Sequence, residues 1–223
     1  MNNIGYTKIK VVGVGGGGSN AVSKMYNNRI RGVEYITVNT DYQDLYDSQT
    51  PLRLMVGTSG MGVGGDPKKG QMCFENNSDE ISKLLNGCNL VFVAAGMGGG
   101  TGTGGVSVVA KIAKELGALV VGVVTTPFGF EGITRKNNSD WGIKELKNNV
   151  DTLVTVPNDK LLQSTAYEST QNPFRKTDEV LNLCVKSISE MILEAGNINI
   201  DFADVKTIIG EAGSARMSLG NGF

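Results

Sequence analysis

The chain has 223 residues, 21 basic and 22 acidic side chains, a formal net charge of −1, and no histidine. A chain of that length buries one substantial core, and its balanced charge offers no basic footprint for nucleic acid. The missing imidazole removes Ser–His–Asp and Cys–His chemistry, histidine zinc sites and imidazole proton shuttles together.

In chain order, Lys8–Val12 reads as a strand running into the glycine-rich turn Gly13–Asn20, with a helix from about Ala21. Val33–Val38 and Leu52–Met55 are further strands, and Asp79–Leu85 is a helix. Leu90–Ala95 is apolar throughout, as a strand buried on both faces should be. It leads into Gly98-Gly99-Gly100-Thr101-Gly102-Thr103-Gly104. After Gly104, Val106, Val109, Ala110, Ala113 and Leu116 recur at helical spacing, with Ser107, Lys111 and Lys114 outside. Ala118–Val124 and Thr152–Val156 continue the strands, and Glu131–Asn149 is a helix despite its polar middle, Lys136–Ser139. Gln163–Asn172 is rich in serine and threonine and reads as a loop. The apolar face of Val180, Leu181, Cys184, Val185, Ile188, Met191 and Ile192 predicts a deeply packed helix over Asp178–Glu194, stopped by Gly196-Asn197. A last helix begins near Asp201. Strands alternating with helices imply an α/β fold: a Rossmann-like, mostly parallel sheet with helices on both faces. Cys73, Cys88 and Cys184 are odd in number and widely spaced, which predicts free thiols and no metal site. No apolar run is long enough to span a membrane and the N-terminus passes almost directly into the first strand, so no signal peptide and a cytoplasmic setting are expected.

The chemistry concentrates in the glycine-rich stretches. Seven successive glycines and threonines contribute little to packing, because glycine costs backbone entropy and supplies no side chain. Between a buried strand and its crossover helix they suit a phosphate cradle, where backbone N–H groups and threonine hydroxyls meet anionic oxygens. Gly13, Gly15 and Gly18 also have the dinucleotide spacing, and Asp41 falls where a ribose-binding carboxylate would, so an oxidoreductase is one reading. A dinucleotide fold needs no second cradle, however, and two such loops on separate strands point to one polyphosphate gripped from two sides. No Gly-x-x-x-x-Gly-Lys-Ser/Thr motif occurs. Asn20 offers an amide for a base edge or a helix cap. Asp178 offers a carboxylate that accepts from both guanine N1 and N2, or else a cap. Asp201 and Asp204, three apart at a helix start, share one face. With Asn199 they could orient a water for phosphoryl transfer, or they are simply a cap and a first-turn acid.

Gly15–Asn20, Asn39-Thr40-Asp41, Gly62–Pro67, the 98–104 loop, Thr126-Pro127-Phe128 with Phe130-Glu131-Gly132, Pro157–Lys160 and Asn199–Asp204 follow one another in a known order. In this the chain resembles the tubulin/FtsZ superfamily, bacterial-type FtsZ in particular, from about Lys8 to about Gly220. The resemblance implies GTP and GDP as ligands, with magnesium held mainly through phosphates and water. It implies phosphate contacts from Gly16, Gly17, Gly18, Gly98, Gly99, Gly100, Thr101, Gly102, Thr103 and Gly104. Asn20 and Asp178 would read guanine, Phe174 would stack on the base, and Glu131, Arg135 and Asn158 would touch ribose or phosphate. For Glu131 and Arg135 the alternative is an ordinary surface pair at i, i+4. Asn199, Asp201 and Asp204 would act in trans on the next subunit's nucleotide, in a head-to-tail homopolymer serving cell division. The family carries a second domain and a tail that docks adaptors. Residues 1–196 are accordingly expected to form the nucleotide-binding domain, and 197–223 the acidic loop and following helix, ending where that second domain would start. Two alternatives stay open: a GTP-binding module that does not polymerise by itself, and the dinucleotide oxidoreductase.

Overall fold

The computed structural model describes residues 7–163, 173–193, 202–210 and 213–215. The apolar runs form strands β1 (Ile9–Val14), β2 (Val33–Asn39), β3 (Leu52–Met55), β4 (Leu90–Gly96), β5 (Leu119–Thr126) and β6 (Thr152–Pro157), with a short β7 (Gly213–Ala215). All pair in parallel, in the order β3-β2-β1-β4-β5-β6-β7. The order reverses at β1 and β4, which lie side by side with Gly13 opposite Ala94. The two glycine-rich turns therefore leave neighbouring carboxyl ends and open a crevice between them.

Alternation along the strands feeds two cores, one on each face of the sheet. Val12, Val14, Val91, Val93 and Val120 pack with Phe74, Ile81, Val106, Val109 and Leu146. These partners come from helices α3 (Pro67–Glu75), α4 (Ser78–Leu85), α5 (Thr101–Glu115) and α6 (Ile133–Lys147). On the other face Ile9, Val11, Phe92, Val121 and Val123 pack with Val22, Met25, Leu181, Cys184, Val185 and Val205. Those belong to α1 (Gly15–Asn27), α8 (Pro173–Leu193) and α9 (Phe202–Ile209). Two short helices complete the described fold, α2 (Tyr42–Asp47) and α7 (Asn158–Gln163). Cys88 and Cys184 are buried and free, and burial pushes the Cys184 thiol up to about 11.

Several boundaries differ from the sequence expectation. The first helix starts at Gly15, not Ala21, so the glycine-rich stretch is largely a helical turn. Likewise α5 starts at Thr101, making Thr101–Gly104 its first turn. The long helix begins at Pro173, five residues before Asp178, so Asp178 is an interior residue and caps nothing. Asn20 is interior to α1 for the same reason. Helices α2, α3 and α7 were unforeseen, and the first two are each started by an aspartate cap: Asp41 accepts from the N–H groups of Gln43 and Asp44, and Asp66 from those of Lys68 and Lys69. Gln163 closes α7, while the rest of the expected 163–172 loop lies outside the described residues, as does the boundary between 196 and 197.

Candidate functional site

A cavity of about 500 Å3 opens at the crevice between β1 and β4. Gly16, Gly17 and Asn20 of α1 line it from one side, and Gly99, Gly100, Thr101 and Gly102 from the other. Glu131, Arg135, Asn158, Phe174 and Asp178 complete the set that the sequence singled out and the fold brings together. The open N-terminal turns of α1 and α5 both face this space, so unpaired N–H groups and two helix dipoles make one end attractive to anions.

Four glycine-loop residues expected here do other work. Gly18 packs α1 against β4: a Cβ on it would overlap the Ala94 carbonyl oxygen. Gly104 sits where α5 crosses α3, and its Cβ would overlap the Pro67 carbonyl oxygen. Thr103 is buried, and its Oγ1 accepts from the N–H of Gly98 at 2.8 Å, closing the loop on itself. Gly98 holds φ +107°, a left-handed conformation that side chains avoid, and lies against the Arg135 backbone. These residues shape the cavity without lining it.

The other wall is held by specific pairs. Glu131 accepts from the Phe128 N–H at 2.9 Å and from Arg135 Nη1 at 2.6 Å, an i, i+4 pair that lines the cavity while the Arg135 side chain stays half exposed. Asn158 is almost fully buried and accepts from the Thr177 hydroxyl at 3.1 Å. Phe174 is braced edge-on by Phe128, ring centres 5.2 Å apart, which in turn stacks on Phe130 at 5.0 Å. Asn138, from the polar run in α6, donates to the carbonyls of Gly65 and Gly98, both at 3.2 Å, and so ties α6 to two loops.

Sequence reasoning missed Lys24, Met97, Thr125 and Thr177, which also line the cavity. Lys24 had a signal: it lies one helical turn after Asn20, hence on the same face of α1. Its Nζ is 2.5 Å from Asp178 Oδ2, joining α1 to α8. The Asp178 carboxyl is raised from its ordinary value, chiefly by burial, and Lys24 opposes that rise only in part. Beside the anion end, the Thr40 and Thr101 hydroxyls meet at 2.6 Å, and Asp44 lies against Gly16 while accepting from Asn39 at 3.0 Å.

Asp204 is exposed on α9 and does not reach the cavity. Its helix neighbours Lys206 and Thr207 border Leu119, at the amino end of β5, whereas Thr125 at the carboxyl end lines the cavity. Six strand residues separate the two levels, roughly 20 Å. Asn199 and Asp201 lie outside the described residues.

Residues 8–166 match the family model described as Tubulin/FtsZ family, GTPase domain. The chain belongs to the tubulin/FtsZ family. Among solved structures, an FtsZ point mutant from M. jannaschii superposes with a TM-score of 0.92 at 40% identity, covering 96% of this chain and 65% of its own. An empty FtsZ dimer from the same organism gives 0.89 at 40% identity, covering 93% and 62%. A GTPγS-bound protofilament of CetZ2 from Haloferax volcanii gives 0.77 at 25% identity, covering 93% and 64%. The chain thus spans under two thirds of each of these relatives. As a tubulin/FtsZ domain it has its cavity at the switch point of the sheet, where open parallel sheets bind ligands. Asp41, the residue on which an oxidoreductase reading leaned, is spent capping α2.

Proposed function

We propose that this domain binds GTP in the switch-point cavity and hydrolyses it within a head-to-tail polymer. The observation that carries the reading is one cavity with an anion-attracting end, made by two helix N-termini, and a base-reading end, made by Asn20 and Asp178. In this reading Gly16, Gly17 and the Gly99–Gly102 turn hold the phosphates, and Arg135 adds positive charge. Asn158 meets the ribose side, and Phe174 covers the base. Gly18, Gly98, Thr103 and Gly104 support that turn by packing. Magnesium would arrive on the phosphates and be held mainly by them and by water, with the Thr101 hydroxyl on the cavity wall as a nearby oxygen donor. When bound, magnesium neutralises phosphate charge. The protein's own part is positioning.

The separation of Asp204 from the cavity supports hydrolysis in trans. A carboxylate roughly 20 Å down the sheet can complete only a neighbour's site, and a heterologous contact of that kind propagates as a filament. Asp204, with Asn199 and Asp201, would orient the attacking water. A polymer for cell division, in the cytoplasm, is the role that follows from the FtsZ likeness. None of the described helices is long and apolar enough to cross a membrane.

The test is GTP turnover per molecule, in magnesium buffer, as protein concentration rises. We expect it to climb above a threshold, and Asp204→Asn to lower it on the order of a hundredfold, as loss of a proton-handling group does, with GTP affinity kept. Turnover that is independent of concentration, or unchanged in Asp204→Asn, would overturn shared catalysis. A flat, near-zero rate despite GTP binding would leave a binding module.

A further inference from the structure

We infer that Lys24 is a positioning residue for base recognition: its ammonium, reaching across from α1, keeps negative charge on Asp178 where the purine edge would meet it. The inference rests on the nucleotide reading above and adds to it a residue of another helix. Lys24 and Asn20 lie one turn apart on α1, so a single helix face presents both an amide and an ammonium to the cavity. Lys24 Nζ meets Asp178 Oδ2 at 2.5 Å, leaving Oδ1 outside that ion pair.

The electrostatics make the contact consequential. The Asp178 side chain is only 14% exposed, and burial alone pushes such a group towards its neutral form. A neutral carboxyl carries a proton where guanine N1–H and N2–H must donate, so protonated Asp178 would repel the base it should read. Lys24 is the opposing influence. The neighbouring Glu179 on α8 raises the Asp178 carboxyl further, but is itself paired with Arg175 at 3.1 Å. Of the other charges nearby, Glu131 and Arg135 pair with each other, and Asp159 of α7 accepts from the Gly129 N–H. Compensation for the buried carboxylate thus comes from Lys24.

Binding needs ionised Asp178, so affinity falls as pH drops through its folded value. Removing Lys24 raises that value and moves the loss to higher pH. The experiment measures GTP affinity by equilibrium dialysis between pH 5 and pH 8.5 for wild type, Lys24→Met and Lys24→Arg. For Lys24→Met we expect affinity within about threefold of wild type at the top of the range. Its midpoint should move up by about one pH unit or more, the effect of deleting an adjacent opposite charge. Lys24→Arg should restore the wild-type profile. Titration of the γ-phosphate shifts all three alike and cancels in the comparison. A loss of the same size at every pH would make the contact a mere tie between α1 and α8, overturning the inference. So would a Lys24→Met profile that superimposes on wild type. If wild type fails to bind GTP at any pH, the nucleotide reading falls first, and the inference with it.

Discussion

Asp178→Asn should lose GTP by roughly a hundredfold or more and gain xanthosine triphosphate in exchange. Ionised aspartate is acceptor-only and matches the two N–H donors on the guanine edge. An asparagine keeps one acceptor but turns an NH2 donor towards the guanine amine, leaving two donors face to face in a largely enclosed site. Polar mismatches of this kind discriminate far more strongly than a missing methylene does. Xanthine replaces the guanine amine with a carbonyl, which that NH2 can satisfy. Because the two side chains are nearly isosteric and Asp178 is interior to α8, the helix itself should be unaffected. Competition binding of the two triphosphates checks this. Unchanged GTP preference would mean that the carboxylate beside Lys24 does not read the base.

Gly104→Ala should destabilise the domain by about 3 kcal/mol, the upper range for overpacking a tight seam. For a domain of this size that corresponds to a fall in melting temperature of roughly 6–12 °C. The added methyl would run into the Pro67 carbonyl, with the Gln71 backbone nitrogen only 2.6 Å away, so neither α3 nor α5 can yield by moving a side chain. Gly99→Ala is the paired control. Nothing lies within 4 Å of a Cβ there, and its φ is not left-handed, so the fold should hold while nucleotide affinity changes. Thermal melts of both variants separate packing glycines from cradle glycines. Equal stability would return Gly104 to the phosphate-contact role first expected of it.

That contrast also explains how far the sequence could be read. Strand identity was visible, because a parallel sheet covered on both faces demands uninterrupted apolar runs such as Leu90–Ala95. The position of the cavity was visible too, since two glycine-rich turns followed two such strands. The division of labour among the glycines was not. Nothing in the one-letter run distinguishes Gly99, which has open space beside it, from Gly104, which is pressed against α3. Helices α2 and α3 escaped for a related reason. Among their residues only Leu45, and Gly70 with Phe74, are buried, too few to produce a periodic apolar stripe. Their aspartate caps were the stronger signal. The apolar pattern of α8 begins only at Val180, while Pro173, a favoured first-turn residue, marks the helix's entry. A lone lysine on a helix is usually solvated, and only the packing of α8 onto α1 gives Lys24 its partner. The polar middle of α6, Lys136–Ser139, carries no apolar stripe because Asn138 bridges two loop carbonyls there.

Competition binding decides whether the switch-point cavity reads a guanine nucleotide. Labelled GTP is held on the intact chain in magnesium buffer and displaced with GDP or with ATP. We expect one site per chain, displacement by GDP, and no displacement by a hundredfold excess of ATP, because adenine presents no N1–H and no N2 amine to Asp178. Equal displacement by ATP, or no retained GTP at all, would contradict that reading.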